Sequence, residues 1–323
     1  MKHLLLSHPL FTFCITICGK YSAVVAQPYN LYFYELNATQ TITGPGSGEQ
    51  FGYSIQLTPD GSSLAVCSDL ANGGDGALYA YYNDGTTWLP YADPVINGQV
   101  GAEGKFCRRA DITTDGKTIA AGARSHSSGG EDLRGIAQVW YFDETSWSQV
   151  GTTFKGDRNN ANVGNGISIS NDGTRYVTGG TGHLGSKGAA VAFIFDAGIN
   201  DWTQLGTDMR GDQNNDKFGF TSEMSGDGST IAVSSKGDRR YIKVMRYDDS
   251  LGDWVMMGMR FEMPGNKYMS RSMWLNDDGT IFAYGAFDSN AGIARVFNWD
   301  VLNNVWVQMG SDLTDSDSNY GIG

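Results

Sequence analysis

Short apolar runs recur along the whole chain, and each run ends in a polar turn that contains glycine. One unit occurs five times: an aromatic or apolar residue stands nine positions before an Asp-Gly pair, and another stands four positions after the Asp. The Asp residues of the five pairs are Asp60, Asp115, Asp172, Asp227 and Asp278. Asp-Gly tolerates the positive φ of tight turns, so each unit predicts a β-hairpin, whose strands we name A and B.

Two further strands follow each hairpin. A variable glycine-rich loop leads to a third apolar run, strand C, and a polar turn then leads to strand D. Every copy has a tryptophan in strand D, and these residues are Trp88, Trp147, Trp202, Trp254 and Trp306. A large aromatic residue at the same place in every unit predicts packing between adjacent units.

Four antiparallel strands in each repeated unit predict an all-β fold, a β-propeller with five complete blades. The predicted blades span residues 51–98, 106–155, 163–210, 218–263 and 269–313. Strand-like segments at 30–45 and 314–323 predict a partial blade at both ends. We interpret the chain as part of a six- or seven-bladed ring, and the alternative is an incomplete ring with an exposed sheet edge.

The first 26 residues have the pattern of a secretory signal peptide. Lys2 precedes an apolar run from Leu4 to Cys18, and small residues up to Ala26 offer a cleavage site. This predicts a propeller domain at residues 27–323 that is secreted or displayed at the cell surface, with no membrane span after the signal is removed. The net charge of −12 makes nucleic acid and anionic lipid poor partners.

Several dipeptides resemble the FG-GAP repeat of integrin α-chain propellers. The matching residues are Phe51-Gly52, Phe218-Gly219 and Tyr320-Gly321 at the start of strand A, and Gly122-Ala123 and Gly285-Ala286 at the end of strand B. The resemblance implies a propeller with an extracellular binding or adhesion role. Integrin-type repeats often carry a calcium loop in the A–B hairpin, and the short turns of this chain depart from that pattern.

A second resemblance, to the kelch repeat, depends on one copy of the unit. Gly179-Gly180 is followed by Phe193–Asp196 and then by Trp202, which is similar to the kelch order of double glycine, strand and tryptophan. Kelch repeats also form propellers, so the resemblance implies the same fold.

Two cysteines lie outside the signal segment. Cys67 ends strand B of the first blade and Cys107 begins strand A of the second, which places both at one end of the blades. They can form a disulfide in an oxidising compartment, and two buried thiols are the alternative. In the same compartment Asn37-Ala38-Thr39 is a candidate glycosylation site.

One candidate metal site appears near the end of the sequence. Asp315, Asp317 and Asn319 alternate, as the oxygen ligands of calcium often do. A polar loop without metal is the alternative, because Tyr320 occupies the place where a calcium loop usually has glycine. No other cofactor is expected.

The loops that join strand B to strand C, and each blade to the next, vary most between copies. Variable loops on a regular scaffold are where binding specificity is usually placed. The candidate binding residues in these loops are Arg108, Arg109, Arg124, His126, Glu131, His183 and Lys187.

We therefore predict a non-catalytic, extracellular binding or adhesion module that recognises protein or glycan. A propeller hydrolase or lyase that acts on polysaccharide is one alternative, because the many acidic residues provide carboxylate pairs. A structural component of a wall or matrix is the other. The sequence leaves the oligomeric state open.

Overall fold

The computed structural model describes residues 2–8, 11–17, 33–34, 40–99, 104–127, 132–263, 268–287 and 292–314. The chain divides into two compact units, Met1–Thr43 and Gly44–Gly323. Within the described ranges, no helix has the length and apolar character needed to cross a membrane.

The first unit contains a three-stranded antiparallel sheet. Its strands are β1 (Lys2–His8), β2 (Phe11–Ile17) and β3 (Phe33–Tyr34), in the order β2-β1-β3. The predicted partial blade at residues 30–45 differs from this arrangement: β3 pairs with β1, and residues 40–43 form no strand. The apolar run in β1 thus provides β3 with a neighbouring strand, which the repeat pattern alone did not indicate.

The second unit consists of five antiparallel sheets, which confirms the all-β propeller with five blades. Blade 1 contains β4 (Phe51–Leu57), β5 (Ser63–Ser68), β6 (Ala77–Asn83) and β7 (Trp88–Asn97). Blade 2 contains β8 (Arg109–Ile112), β9 (Thr118–Ala123), β10 (Ile136–Phe142) and β11 (Trp147–Lys155). Between β5 and β6 the chain makes a single left-handed turn over Ala71–Gly74, in which Asn72 and Gly73 have φ of 53° and 73°.

In the other three blades strand D is divided into two short segments that both pair with strand C. Blade 3 contains β12 (Val163–Ile169), β13 (Arg175–Gly180), β14 (Ala189–Asp196), β15 (Asp201–Gln204) and β16 (Met209–Arg210). Blade 4 contains β17 (Phe218–Met224), β18 (Thr230–Ser235), β19 (Tyr241–Asp248), β20 (Asp253–Met256) and β21 (Phe261–Glu262). Blade 5 contains β22 (Tyr268–Leu275), β23 (Ile281–Phe287), β24 (Gly292–Asp300), β25 (Val305–Gln308) and β26 (Leu313–Thr314).

The repeated Asp-Gly pairs close the A–B hairpins. In blade 1 the Asp60 carboxylate accepts hydrogen bonds from the Ser62 backbone N–H at 2.9 Å and from the Thr58 hydroxyl at 2.7 Å. These bonds hold the pKa of Asp60 below its usual range, with the Ser62 N–H as the largest cause. The next residue, Gly61, has φ of 72°, a conformation that residues with a side chain rarely adopt. The repeated acids therefore serve turn geometry.

The A strands contact one another in the order β4, β8, β12, β17 and β22, so strand A is the innermost strand of each blade. At the opposite edge, the tryptophans of strand D join successive blades. The indole N–H donors and their carbonyl acceptors in the preceding blade are Trp202 to Val150 (2.9 Å), Trp254 to Leu205 (2.8 Å) and Trp306 to Met257 (2.9 Å). Each of these tryptophans therefore both packs and hydrogen-bonds between blades.

Candidate functional site: the centre and mouth of the blade array

One position of strand A carries a different residue in every blade. It lies four residues before the hairpin Asp, and its occupants, which we call the central row, are Gln56, Asp111, Ser168, Glu223 and Trp274. Because the A strands are innermost, this position lies at the centre of the array. The structure thus brings polar, acidic and aromatic side chains together at one equivalent position of the five innermost strands.

Hydrogen bonds connect the central row from blade to blade. The Asp111 carboxylate accepts from the Gln56 side-chain amide at 3.3 Å and from the Ser168 hydroxyl at 2.7 Å. It also accepts from the Ile169 backbone N–H at 2.9 Å, and the Ser168 hydroxyl oxygen accepts from the Met224 N–H at 3.1 Å. Four blades thus hold Asp111 and Ser168 in fixed orientations.

Glu223 of blade 4 interacts with two charged residues of blade 2, Asp111 and Arg109. Burial raises the pKa of Glu223 well above its usual range; the charge of Asp111 raises it further and that of Arg109 lowers it. Glu223 lies in blade 4 while Asp111 and Arg109 lie in blade 2, so these charges interact across the centre of the array. Burial also raises the pKa of Asp111, against the hydrogen bonds from Ile169 and Ser168.

The carboxyl groups of Asp111 and Glu223 can exchange protons, and the guanidinium of Arg109 can bind a negatively charged group. A carboxyl group with a raised pKa can hold its proton near neutral pH and donate a hydrogen bond or a proton. A neighbouring carboxylate can accept them, and a guanidinium can pair with an anionic group of a ligand. Trp274 adds an aromatic side chain that is 43% exposed.

A second set of residues, which we call the mouth, lies where strand A begins and strand B ends. Its members are Tyr53, Arg108, Arg124, Phe220 and Lys236. The Arg108 guanidinium lies over the Tyr53 ring at 4.8 Å and pairs with the Asp69 carboxylate at 3.1 Å. The Lys236 ammonium lies over the Phe220 ring at 4.6 Å, and the Arg124 guanidinium donates to the Asn165 amide oxygen at 3.4 Å.

The mouth and the central row share the same strands. Tyr53 precedes Gln56 by three residues, as Arg108 precedes Asp111 and Phe220 precedes Glu223. Three residues of a β-strand span about 10 Å. Cations and aromatic rings therefore stand about 10 Å along the strand from a pair of carboxyl groups.

Some of the predicted loop residues lie at the mouth or beside the central row, and the others lie elsewhere. Arg108 and Arg124 belong to the mouth, and Arg109 lies next to the central row. His126 and His183 occupy equivalent places in adjacent blades, each is only 5% exposed, and Lys187 is exposed. Glu131 lies outside the described residues.

His183 is the predicted residue whose own contacts are best defined. Its Nδ1 lies 2.8 Å from the Asp157 carboxylate, and its ring packs edge-on against Phe154. Burial lowers the pKa of His183, against the opposing charge of Asp157. These contacts fix the loop between blades 2 and 3 and do not direct the imidazole toward the other predicted residues.

Cys67 and Cys107 form a disulfide, with Cα atoms 5.2 Å apart. It joins strand B of blade 1 to the start of strand A of blade 2, and both residues are buried. The predicted calcium ligands Asp315, Asp317 and Asn319 and the candidate glycosylation residue Asn37 lie outside the described residues. Within the described ranges, no group of three or more His, Cys, Asp or Glu side chains is arranged to hold a metal ion.

The central row and three of the five mouth residues, Tyr53, Phe220 and Lys236, were not predicted from the sequence. The predicted residues lie mainly in loops, whereas Asp111, Glu223 and Trp274 lie within regular strands. A usable signal was present, because the residue four positions before each hairpin Asp changes its chemistry from copy to copy. A position of the inner strand that changes in size and charge from copy to copy indicates a side chain that is not required for packing.

The raised pKa of Glu223 predicts a pH-dependent effect on stability. The folded state favours the protonated acid, so this contribution is fully present below the ordinary pKa of 4.5 and is lost as pH rises through the folded-state pKa. Glu223→Gln removes the charge that is costly to bury, so we expect a higher Tm than wild type at about pH 8 and an unchanged Tm at about pH 4. Equal melting curves for the two proteins at both pH values would contradict the assignment.

Comparison with known proteins supports the fold at low sequence identity. No family model and no curated protein sequence matches the chain. A crystal structure of a 6-phosphogluconolactonase candidate from Bacteroides fragilis has a TM-score of 0.53 at 16% identity, over 81% of this chain and 70% of that one. Hydrazine synthase from Kuenenia stuttgartiensis gives 0.51 at 14%, over 85% and 69% of the two chains.

A third similar structure is another 6-phosphogluconolactonase candidate, from Bacteroides uniformis. It has a TM-score of 0.50 at 13% identity, over 81% of this chain and 85% of that one. None of these three structures is described as an FG-GAP or kelch repeat protein. They support the β-propeller fold and leave the particular family unassigned.

Proposed function

We propose that this protein is an exported, non-enzymatic binding module that takes an acidic carbohydrate between its mouth and its central row. The observation that carries the proposal is the combination of groups on two successive levels of strand A. Arg108, Arg124 and Lys236 provide positive charge on a protein of net charge −12. A local group of cations on an acidic protein favours an anionic ligand over a neutral one.

The remaining groups match the other features of a sugar. Tyr53 is 37% exposed and Trp274 is 43% exposed, and exposed aromatic rings can cover the apolar face of a pyranose. The carboxyl groups of Asp111 and Glu223 can accept and donate hydrogen bonds to hydroxyl groups. The signal-like segment at residues 1–26 supports export, since it precedes the propeller in the sequence.

The binding experiment uses a glycan array followed by calorimetry on the ligands it identifies. We expect uronate-containing or otherwise acidic glycans to bind, and Arg124→Ala to weaken binding about tenfold or more because a charge-assisted hydrogen bond is lost. Arg158→Ala is the matched control, since Arg158 is a partly exposed arginine that pairs with Asp157 and is not one of the mouth residues. Neutral glycans that bind as well as acidic ones, or equal affinities for the two variants, would contradict the proposal.

Hydrolysis of a sugar ester or lactone is a second candidate function, and the raised pKa values of Asp111 and Glu223 favour it. Protonated Glu223 would donate to the leaving oxygen while ionised Asp111 would accept a proton from water. The same glycans and their lactones serve as substrates in a turnover assay. Turnover that falls about 100-fold or more in Glu223→Gln, with binding retained, would replace the binding-only proposal by the catalytic one.

A further inference from the structure

Two neighbouring lysines lie where strand A of blade 4 begins. Lys217 directly precedes β17, and Lys187 lies at the end of the loop between β13 and β14. The Lys217 backbone N–H donates to the Ser186 carbonyl at 3.4 Å, and the Phe218 N–H donates to the Lys187 carbonyl at 2.9 Å. These bonds hold Lys187 and Lys217, which we call the lysine pair, next to each other between blades 3 and 4. Both are exposed, and neither has an ion-pair partner among the residues that the structure describes.

The backbone at this place does not require basic residues. The same two hydrogen bonds occur between blades 1 and 2 and between blades 2 and 3. The residues that correspond to Lys187 and Lys217 at these two interfaces are Asp75 and Lys105, and Arg134 and Asn162. Of the three interfaces, only the one between blades 3 and 4 brings two like charges together. Adjacent like charges repel each other, and an anion between them removes that cost.

The two acids in the connection between blades 3 and 4 already have cationic partners. Asp212 pairs with Lys243 and Arg260. Asp216 is fully buried and pairs with Arg239 at 3.1 Å. The charge of the lysine pair therefore stays uncompensated on a protein of net charge −12. A local positive charge of this kind attracts an anionic group.

The lysine pair is adjacent to the mouth. Lys217 precedes Phe220 by three residues, and Phe220 precedes Glu223 of the central row by three. Three residues of chain reach at most about 11 Å, so Lys217 lies within that distance of the place where the Lys236 ammonium covers the Phe220 ring at 4.6 Å. Along the chain Lys217 and Glu223 lie on opposite sides of Phe220. The lysine pair thus adds a third level to the mouth and the central row.

We propose that the lysine pair is a second anion subsite, which binds a further acidic residue of a polyuronate chain that enters the mouth. This inference rests on the proposed function and narrows it, because it makes the ligand a chain with charge on several residues and not a single acidic sugar. An exposed ammonium acts as a point charge that suits a carboxylate without fixed geometry. Once the first residue is bound at the mouth, the second contact is intramolecular and raises the affinity of the whole chain.

The test is a calorimetric titration at low ionic strength with oligogalacturonates of one to about six residues, since salt screens exposed charges. We expect the affinity of wild type to rise with chain length. The pair variant, Lys187→Gln with Lys217→Gln, should bind the monomer as wild type does and the longer chains about tenfold more weakly. Both positions are exposed, so its Tm should equal that of wild type.

The control variant, Lys105→Gln with Lys117→Gln, changes the net charge by the same amount. Lys105 corresponds to Lys217 at the interface between blades 1 and 2, and Lys117 lies in the A–B turn of blade 2 beside Glu144. This variant should keep the gain with chain length. A second readout is acetylation of lysines followed by mass spectrometry: a bound chain should protect Lys187 and Lys217 and leave Lys117 reactive.

The outcomes separate this inference from the proposed function. Arg124→Ala should weaken the binding of every chain length, whereas the pair variant should weaken only that of the longer chains. An affinity that does not change with chain length, or a pair variant that keeps the gain, overturns the second subsite and leaves the proposed function in place. Absence of binding at every length overturns both. Duplex DNA or phosphatidylserine vesicles that protect the lysine pair where oligogalacturonates do not would also overturn the polyuronate subsite.

Discussion

Replacing Phe218 by alanine is expected to lower the free energy of unfolding by about 3–5 kcal/mol. Phe218 begins strand A of blade 4 and is fully buried. Its ring stacks on Tyr241 with centroids 6.0 Å apart, and it belongs to one apolar cluster with Val177 and Leu205 of blade 3. Its backbone N–H donates to the Lys187 carbonyl at 2.9 Å. Alanine would leave a cavity in the middle of an interface between blades.

The chain contains a matched control for this prediction. Phe51 occupies the same repeat position in blade 1, but it is only partly buried and packs edge-on against Tyr79 of its own blade at 5.2 Å. Because no described blade covers that side, we expect Phe51→Ala to cost only about 1–2 kcal/mol. Urea unfolding followed by tryptophan fluorescence measures both. Equal losses for the two variants would mean that the interface between blades 3 and 4 does not determine the cost.

The repeat register was sufficient to predict the blades because local chemistry determines them. An Asp-Gly turn needs only its own neighbours, as the bonds from Thr58 and Ser62 to Asp60 illustrate. The tryptophan of strand D was also predictable, since a side chain of that size at a constant place must be packed. The partner atoms of Trp254 could not be predicted, because the Leu205 carbonyl is reached only after blades 3 and 4 pack together.

The centre of the array was not predictable for a related reason. Glu223 meets Asp111 and Arg109 only because blade 3 brings blades 2 and 4 to facing positions. Sequence separation gives no information on that geometry, and each residue alone resembles an ordinary polar residue of a strand. The residues predicted to bind lie in loops that vary between copies, whereas the residues that meet at the centre vary along the inner strand.

The disulfide occupies a position that the repeat explains. Gly164 and Gly219 align with Cys107, and Gly122 and Gly179 align with Cys67. A Cβ atom added to Gly122 or Gly179 would lie 2.7 Å from the Cα of Gly164 or Gly219, respectively, so the backbones of adjacent blades lie close together there. Where blades 2 and 3, and blades 3 and 4, meet through two glycines, blades 1 and 2 meet through a covalent bond.

Removing this bond with Cys67→Ala and Cys107→Ala together is expected to lower the free energy of unfolding by about 3–4 kcal/mol, because the cross-link closes a loop between residues 40 apart in sequence. Alanine keeps the Cβ atoms and changes only the cross-link and the sulfur packing. Urea unfolding with and without dithiothreitol measures the effect. Reductant should lower the free energy of unfolding of wild type to that of the variant, and it should leave the value for the variant unchanged. A variant as stable as oxidised wild type would show instead that side-chain packing alone holds blade 1 against blade 2.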